Sequence, residues 1–208
     1  VMYHHRGAYL QALAMVAHMR LDCESTYLWT LPMFHCNGWC FTWGVTAAGA
    51  THLCLRKLDP ELIWRHLRES GVTHFCAAPT VMIMIAWAES AKQGKLARTV
   101  HAATGGAPPT PAILMRMAEL GIDVTHLYGL TETFGPAVVC EWRAEWSKLP
   151  VAEQGRIKAR QGVGNVIAQE LRIVDHEGRD VPADAATIGE IALRGNNVML
   201  GYYRDDEA

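Results

Sequence analysis

Apolar positions recur with helical spacing from Pro60 to Ser70, where Leu62, Ile63, Trp64 and Leu67 share one face. Asp59 is placed to cap that stretch, Pro60 suits its first turn, and Gly71 follows as a stop. The short apolar run from Val72 to Ala77 then reads as a buried strand. The same order returns further on: Thr110 and Pro111 open a helix through Ile113, Leu114, Met117 and Leu120, Gly121 ends it, and Ile122 to Tyr128 reads as the next strand. Two helix–glycine–strand units in succession imply a parallel sheet. Tyr27 to Leu31 and Thr99 to Thr104 are predicted strands, and Thr80 to Ala91 a predicted helix. From about Val163 the pattern changes. Glu170 to Asp175, a turn at His176-Glu177-Gly178, and Ile188 to Arg194 alternate as half-buried antiparallel strands do.

These patterns predict an α/β fold: a mostly parallel sheet flanked by helices, followed by the start of a β-rich subdomain. The expected divisions are 1–140 for the α/β unit, 141–162 for a charged, tryptophan-rich and partly helical connector, and 163–208 for the β-rich part. With 208 residues, half of them hydrophobic, the chain is long enough to bury a core without disulfides. Its 19 basic and 21 acidic residues offer no basic patch, so neither nucleic acid nor an anionic membrane surface is expected as a partner. The longest apolar run, Val81 to Ala88, is far too short to span a bilayer. Six cysteines scattered through apolar stretches, with no CxxC pair, suit buried thiols in a reducing compartment, and the expected location is cytoplasmic. The oligomeric state is left open.

Ligands of α/β sheets bind beyond the carboxyl ends of the strands, which directs attention to three segments. Pro32-Met-Phe-His-Cys-Asn-Gly-Trp39 follows the first strand, Gly105-Gly-Ala-Pro108 follows the strand ending at Thr104, and Tyr128-Gly-Leu-Thr-Glu-Thr133 follows the strand ending near His126. The last packs an aromatic face, a position without a side chain, two hydroxyls and a carboxylate into one turn. A ring can stack on a purine, a glycine admits a ligand close to the backbone, a hydroxyl can donate to phosphate, and a carboxylate can hold Mg²⁺. On composition alone the better reading is core residues, a strand-ending glycine and a helix cap.

Tyr128-Gly-Leu-Thr-Glu-Thr resembles the most characteristic internal motif of the AMP-binding, adenylate-forming enzymes, a superfamily of acyl-CoA synthetases, firefly luciferase and peptide-synthetase adenylation domains. Two further segments match in the family's order. Pro32 to Trp39 resembles the acyl-CoA synthetase "PxFHxxGx" segment, and Gly105 to Pro108 the glycine-rich wall of the adenine pocket. Gly189-Glu-Ile-Ala-Leu-Arg-Gly with Met199-Leu-Gly-Tyr-Tyr is similar to a later family stretch. The resemblance covers essentially the whole chain. It leaves the family's phosphate loop before Val1, and the ribose-binding Thr-Gly-Asp and catalytic lysine after Ala208. The chain is therefore expected to be the middle of a longer enzyme and inactive by itself.

The resemblance implies a carboxylic acid–CoA ligase, in which a carboxylate attacks the α-phosphorus of ATP and coenzyme A then displaces AMP. It implies that Glu132 holds Mg²⁺, that Thr131 donates to the α-phosphate, and that Tyr128 lies against adenine between Leu127 and Gly129, with Gly105, Gly106, Ala107 and Pro108 on the opposite side. His126 stands where many relatives aim Asn or Asp at the adenine amino group, and His35 near the reacting carboxylate and the thiol channel. Amino-acid adenylation domains usually carry Asp where His35 follows Phe34. No counter-ion is then offered to a substrate ammonium, and a plain short- or medium-chain or aryl acid is expected. Met33, Gly38, Trp39, Trp43, Gly44 and Thr104 are candidates for the acyl pocket or for core. The remaining alternatives are a noncatalytic nucleotide- or acyl-binding module and a dinucleotide-dependent oxidoreductase. No GxGxxG follows any predicted strand, which disfavours the latter.

Overall fold

The computed structural model describes residues 1–169 and 171–205; the expected strand start at Glu170 and the end of the chain from 206 lie outside the described residues. The chain opens with helix α1 (His5–Met19), strand β1 (Thr26–Trp29), the single turn α2 (Cys36–Trp39), α3 (Phe41–Ala47) and β2 (Thr51–Cys54). The predicted units follow as α4 (Pro60–Glu69), β3 (His74–Cys76), α5 (Pro79–Ala86), β4 (Val100–Thr104), α6 (Pro111–Glu119) and β5 (Ile122–Leu130). Beyond them lie β6 (Gly135–Val139), α7 (Val151–Lys158), β7 (Val163–Gly164), β8 (Arg172–Val174) and β9 (Glu190–Ala192).

The helix starts form for the local reasons the sequence offers. The Asp59 carboxylate accepts from the backbone N–H groups of Glu61 and Leu62 at 3.0 and 3.2 Å, satisfying two donors that the first turn of α4 leaves without partners. The Thr110 hydroxyl does the same for Ile113 at 3.3 Å at the start of α6. Gly71 and Gly121 follow these helices at φ +70° and +85°, a backbone that turns the chain towards β3 and at once into β5.

Seven strands form one sheet in the order β2-β1-β3-β4-β5-β6-β7. The first five are parallel, with Thr104 opposite His126 at the β4–β5 edge. The two that follow are antiparallel, so the sheet is mixed. Val163–Gly164, expected to begin the β-rich part, instead pairs with Val138–Val139 and closes the large sheet. The alternating pattern beyond it does form an antiparallel pair, β8 with β9, in a separate two-stranded sheet.

The sheet is covered on both faces, and the strand period of two divides its residues between two cores. Leu28, Phe75, Ala102, Ile122 and Val124 pack with Ile63, Trp64 and Leu67 of α4, Met82 and Ile85 of α5, and Ile113 and Met117 of α6. Their neighbours Tyr27, Trp29, Cys76, Ala103 and Leu127 pack on the opposite face with Ala12 and Met15 of α1 and Phe41 and Val45 of α3. The cysteines divide accordingly. Cys36, Cys40, Cys76 and Cys140 are buried free thiols, as expected of all six, whereas Cys23 and Cys54 are exposed, because each lies where the sheet edge or a loop meets solvent. No helix among the described residues is long and apolar enough to cross a membrane.

One buried group gives the fold a pH dependence. His74 of β3 donates Nε2–H to the Met19 carbonyl at 2.9 Å, and its Nδ1 accepts from the Thr73 hydroxyl at 2.8 Å, so both nitrogens are satisfied in the neutral ring. Burial, with His101 beside it, lowers its pKa from 6.5 to about 4. The unfolded chain takes up this proton near pH 6.5 and the folded one only near 4, so stability present above 6.5 is lost as the pH falls through that window, by up to roughly 3 kcal/mol. Urea midpoints at pH 7.5 and pH 4.5 should differ more for the native protein than for His74→Gln. Equal differences would remove this assignment.

Candidate active site

At the carboxyl edge of the sheet, three segments far apart in sequence enclose one cleft of about 270 Å³. The loop after β1 contributes His35, Cys36 and Trp39; the end of β4 contributes Gly105 and Gly106; the end of β5 and the turn after it contribute Leu127 through Glu132, with Gly135 and Pro136. The sheet topology brings them together. Parallel strands place successive carboxyl ends side by side, and the antiparallel return of β6 brings Gly135 and Pro136 back to the same edge.

Of the residues singled out from sequence, His35, Gly105, Gly106, Leu127, Tyr128, Gly129, Thr131 and Glu132 line this cleft. Ala107 and Pro108 are exposed just beyond Gly106, outside the lining. His126 is not brought into it either. The ring is 2% exposed, and its Nδ1 faces the carbonyls of Arg160 at 2.9 Å and Ala159 at 3.2 Å. Carbonyls only accept, so Nδ1 carries the proton, and this residue ties β5 to the end of α7. Burial lowers its pKa, which favours the neutral ring. Among the acyl-pocket candidates Trp39 alone reaches the cleft. Met33 and Trp43 are exposed, Gly38 lies against the Trp29 ring, Gly44 packs on α1, and Thr104 is wholly buried.

Gly129 is required by close approach. The β5–β6 register slips between Tyr128 and Gly129, and a Cβ on Gly129 would overlap the Gly135 carbonyl oxygen and stand 2.9 Å from the Ala137 nitrogen. The turn that follows, Thr131–Thr133, is held by its own hydroxyl and by both ends of the described chain. The Thr133 hydroxyl accepts from Leu130 N–H at 2.9 Å and donates to the Gly135 carbonyl at 2.9 Å. The Tyr3 hydroxyl donates to the Thr131 carbonyl at 2.8 Å, and Asn197 Nδ2 donates to the Thr133 carbonyl at 2.8 Å. Met199 N–H donates to the Glu132 carbonyl at 2.7 Å.

The Glu132 carboxylate faces the cleft and accepts from the Tyr202 phenol at 2.6 Å. That hydrogen bond, which favours the charged form, is the main reason its pKa lies below the ordinary glutamate value. Thr131 Oγ1 meets the thiol of Cys36 at 3.4 Å. Tyr3, Cys36 and Tyr202 were not recognised from sequence as site residues. Cys36 and Tyr202 did lie within the segments that carry the resemblance, and Tyr3 lies in Val1 to Arg6, which resembles the stretch immediately after the family's phosphate loop.

Among the described residues no group of three His, Cys, Asp or Glu is placed to hold a metal by itself. Glu132 is a single ionised oxygen donor at the mouth of the cleft, which suits a hard cation shared with substrate phosphates, the usual habit of Mg²⁺, better than a protein-caged metal.

Comparison with known proteins agrees with this geometry. A family model described as AMP-binding enzyme matches residues 1–203. The chain is 49% identical over 207 residues to 4-hydroxybutyrate–CoA ligase 2 of Metallosphaera sedula, covering 100% of this chain and 38% of that one. It is 45% identical over 212 residues to the acetate/butyrate–CoA ligase AAE7, peroxisomal, of Arabidopsis thaliana, covering 100% of this chain and 37% of the relative. The chain thus spans less than two fifths of these relatives' length. Its fold matches the crystal structure of the N-terminal domain of FACL13 from Mycobacterium tuberculosis with a TM-score of 0.80 at 19% identity, covering 96% of this chain and 48% of the other. On this match, and on the three segments gathered at the sheet edge, the chain belongs to the AMP-binding enzyme family.

Proposed function

We propose that the protein carrying this chain is a carboxylic acid–CoA ligase that activates a short aliphatic acid with ATP and passes the acyl group to coenzyme A. The observation that carries this reading is the convergence of the Thr131 hydroxyl, the ionised Glu132 and His35 on one cleft beside the glycine pair Gly105–Gly106. In the first step an oxygen of the acid attacks the α-phosphorus, the bond to the β-phosphate breaks and pyrophosphate leaves. In the second, coenzyme A's sulfur attacks the acyl carbon, the bond to AMP breaks, and the thiol proton is released.

Positioning and charge neutralisation dominate such phosphoryl chemistry. Thr131 donates to an α-phosphate oxygen. Glu132, ionised at neutral pH, holds the magnesium side of the nucleotide, and the metal when bound supplies neutralisation of the charge that builds on pyrophosphate. Tyr128 and Leu127 lie against one side of the adenine, with the Gly105–Gly106 backbone on the other and Ala107 and Pro108 at its outer rim. His126 acts on this pocket from behind, by fixing β5 against α7. His35 stands at the mouth beside the acid's carboxylate and the incoming thiol.

Among the described residues Glu132 is the one acidic residue in the lining, so an ammonium-bearing substrate would find no other partner there, which supports an uncharged acid tail. The relatives named above act on 4-hydroxybutyrate and on acetate or butyrate. One of them is peroxisomal by name, and a reducing organelle suits six free thiols as well as the cytoplasm does.

The test is acid-dependent exchange of labelled pyrophosphate into ATP by the whole protein, with straight-chain acids from acetate to octanoate and with benzoate. Exchange is expected with the short acids first. No exchange with any of them would overturn the reading.

A further inference from the structure

The turn that carries Cys36 is unusual in its backbone. Five consecutive residues, Cys36, Asn37, Gly38, Trp39 and Cys40, have φ of 46°, 48°, 63°, 54° and 68°. A left-handed turn disfavours each residue bearing a Cβ by about 1–2 kcal/mol, so the surroundings must impose it. They do so at three points. The Thr42 hydroxyl donates to the Asn37 carbonyl at 2.8 Å. The Trp29 ring fills the space beside Gly38, where a Cβ would overlap it. The Trp39 backbone lies against Gly135, whose added Cβ would come within 3.3 Å.

The consequence is where the Cys36 side chain goes. It is 7% exposed, and its sulfur lies 3.4 Å from Thr131 Oγ1, which has no other side-chain or backbone partner among the described residues. Tyr3 fixes the same residue from the backbone side through the Thr131 carbonyl. A thiol has one hydrogen. When it is donated to Oγ1, the threonine's own hydrogen has nothing to gain by turning back to sulfur, and it is left directed at the open side of the cleft.

We infer that Cys36 is a positioning residue whose S–H donates to Thr131 Oγ1 and thereby aims the Thr131 hydroxyl at the nucleotide phosphate. The inference rests on the proposed role of Thr131 as donor to the α-phosphate.

The test compares Cys36→Ala, Cys36→Ser and Cys36→Gly in the whole protein. Adenylation is followed by pyrophosphate exchange, and the second half-reaction by thioester formation from pre-made butyryl-adenylate. Cys36→Ala is expected to lower kcat for adenylation about tenfold, with the KM for ATP moved less than threefold and thioester formation little changed. Cys36→Ser keeps a donor and should recover most of the loss. Cys36→Gly removes the donor but relaxes the positive φ, so it should lose adenylation as Cys36→Ala does while melting no lower than Cys36→Ala. On a Thr131→Val background, Cys36→Ala should add nothing.

Wild-type adenylation in Cys36→Ala, equal losses in the Ala and Ser variants, or an additive loss on Thr131→Val would each overturn the inference while leaving Thr131's role intact. Unchanged adenylation in Thr131→Val would instead remove the role of Thr131 itself, and the inference with it.

Discussion

Glu132→Gln is expected to lower adenylation by about 10²-fold or more, while thioester formation from pre-made acyl-adenylate falls far less. The substitution is chosen because little else should change. Glutamine fills the same volume, and its amide oxygen can still accept from the Tyr202 phenol that now lies 2.6 Å from the carboxylate. The Glu132 backbone keeps its bond from Met199, so the turn stays strapped. What is lost is one negative charge at the mouth of the cleft, and in the proposed reaction that charge matters while pyrophosphate leaves and much less once AMP is the leaving group. Rate measurements on the two half-reactions, with calorimetry of MgATP binding alongside, check this. Equal losses in both would mean that Glu132 supports the turn rather than the metal side of the nucleotide.

Gly129→Ala should damage both fold and site. Its Cβ would overlap the Gly135 carbonyl oxygen and stand 2.8 Å from the carbon of that carbonyl, atoms of the neighbouring strand that cannot rotate away. Relief requires β6 to move off β5 where Gly129 faces Pro136 and Leu130 faces Gly135. Overpacking against backbone and the loss of ladder bonds together should lower stability by about 3 kcal/mol. Because Thr131 and Glu132 follow directly, adenylation should fall to background even in molecules that remain folded. A denaturant titration and the exchange assay read the two effects. A variant that melts within a degree of wild type and retains exchange would show that the two strands separate more easily than their packing implies.

The parts of the molecule that were legible in the sequence are those whose causes are local. Asp59 with Pro60 and Thr110 with Pro111 carry the donors and fixed torsions that start α4 and α6, and Gly71 and Gly121 carry the stops, so both helix–glycine–strand units were readable from a few neighbours. The three site segments were readable because each is a short run with its chemistry in adjacent positions. Helices α1 and α3 and strand β2 were not. No side chain caps either helix, and α1 is covered on more than one side: its Ala12 and Met15 face the sheet core, while Gly7 lies so close to the Asn196 carbonyl that a Cβ would stand 2.6 Å away. The open face of α1 carries Tyr9 and Leu13, both exposed, while Gln11 is wholly buried, so polar and apolar positions do not follow the helical period.

By itself, then, the amino-acid order determined which local elements can form, which segments carry phosphate- and metal-compatible groups, and the family to which those segments point. Only the tertiary structure decided how the groups are aimed. It turned His126 away from the cleft to hold α7, closed the sheet with Val163–Gly164, exposed Cys23 and Cys54, and brought Tyr3, Cys36 and Tyr202 to Thr131 and Glu132 across 128, 95 and 70 residues. The reason is physical. Capping and turn preferences act over one to four residues and can be read in a window. The direction of a buried hydrogen bond depends on partners that meet only after the sheet has brought distant chain ends together, and no local pattern encodes that meeting.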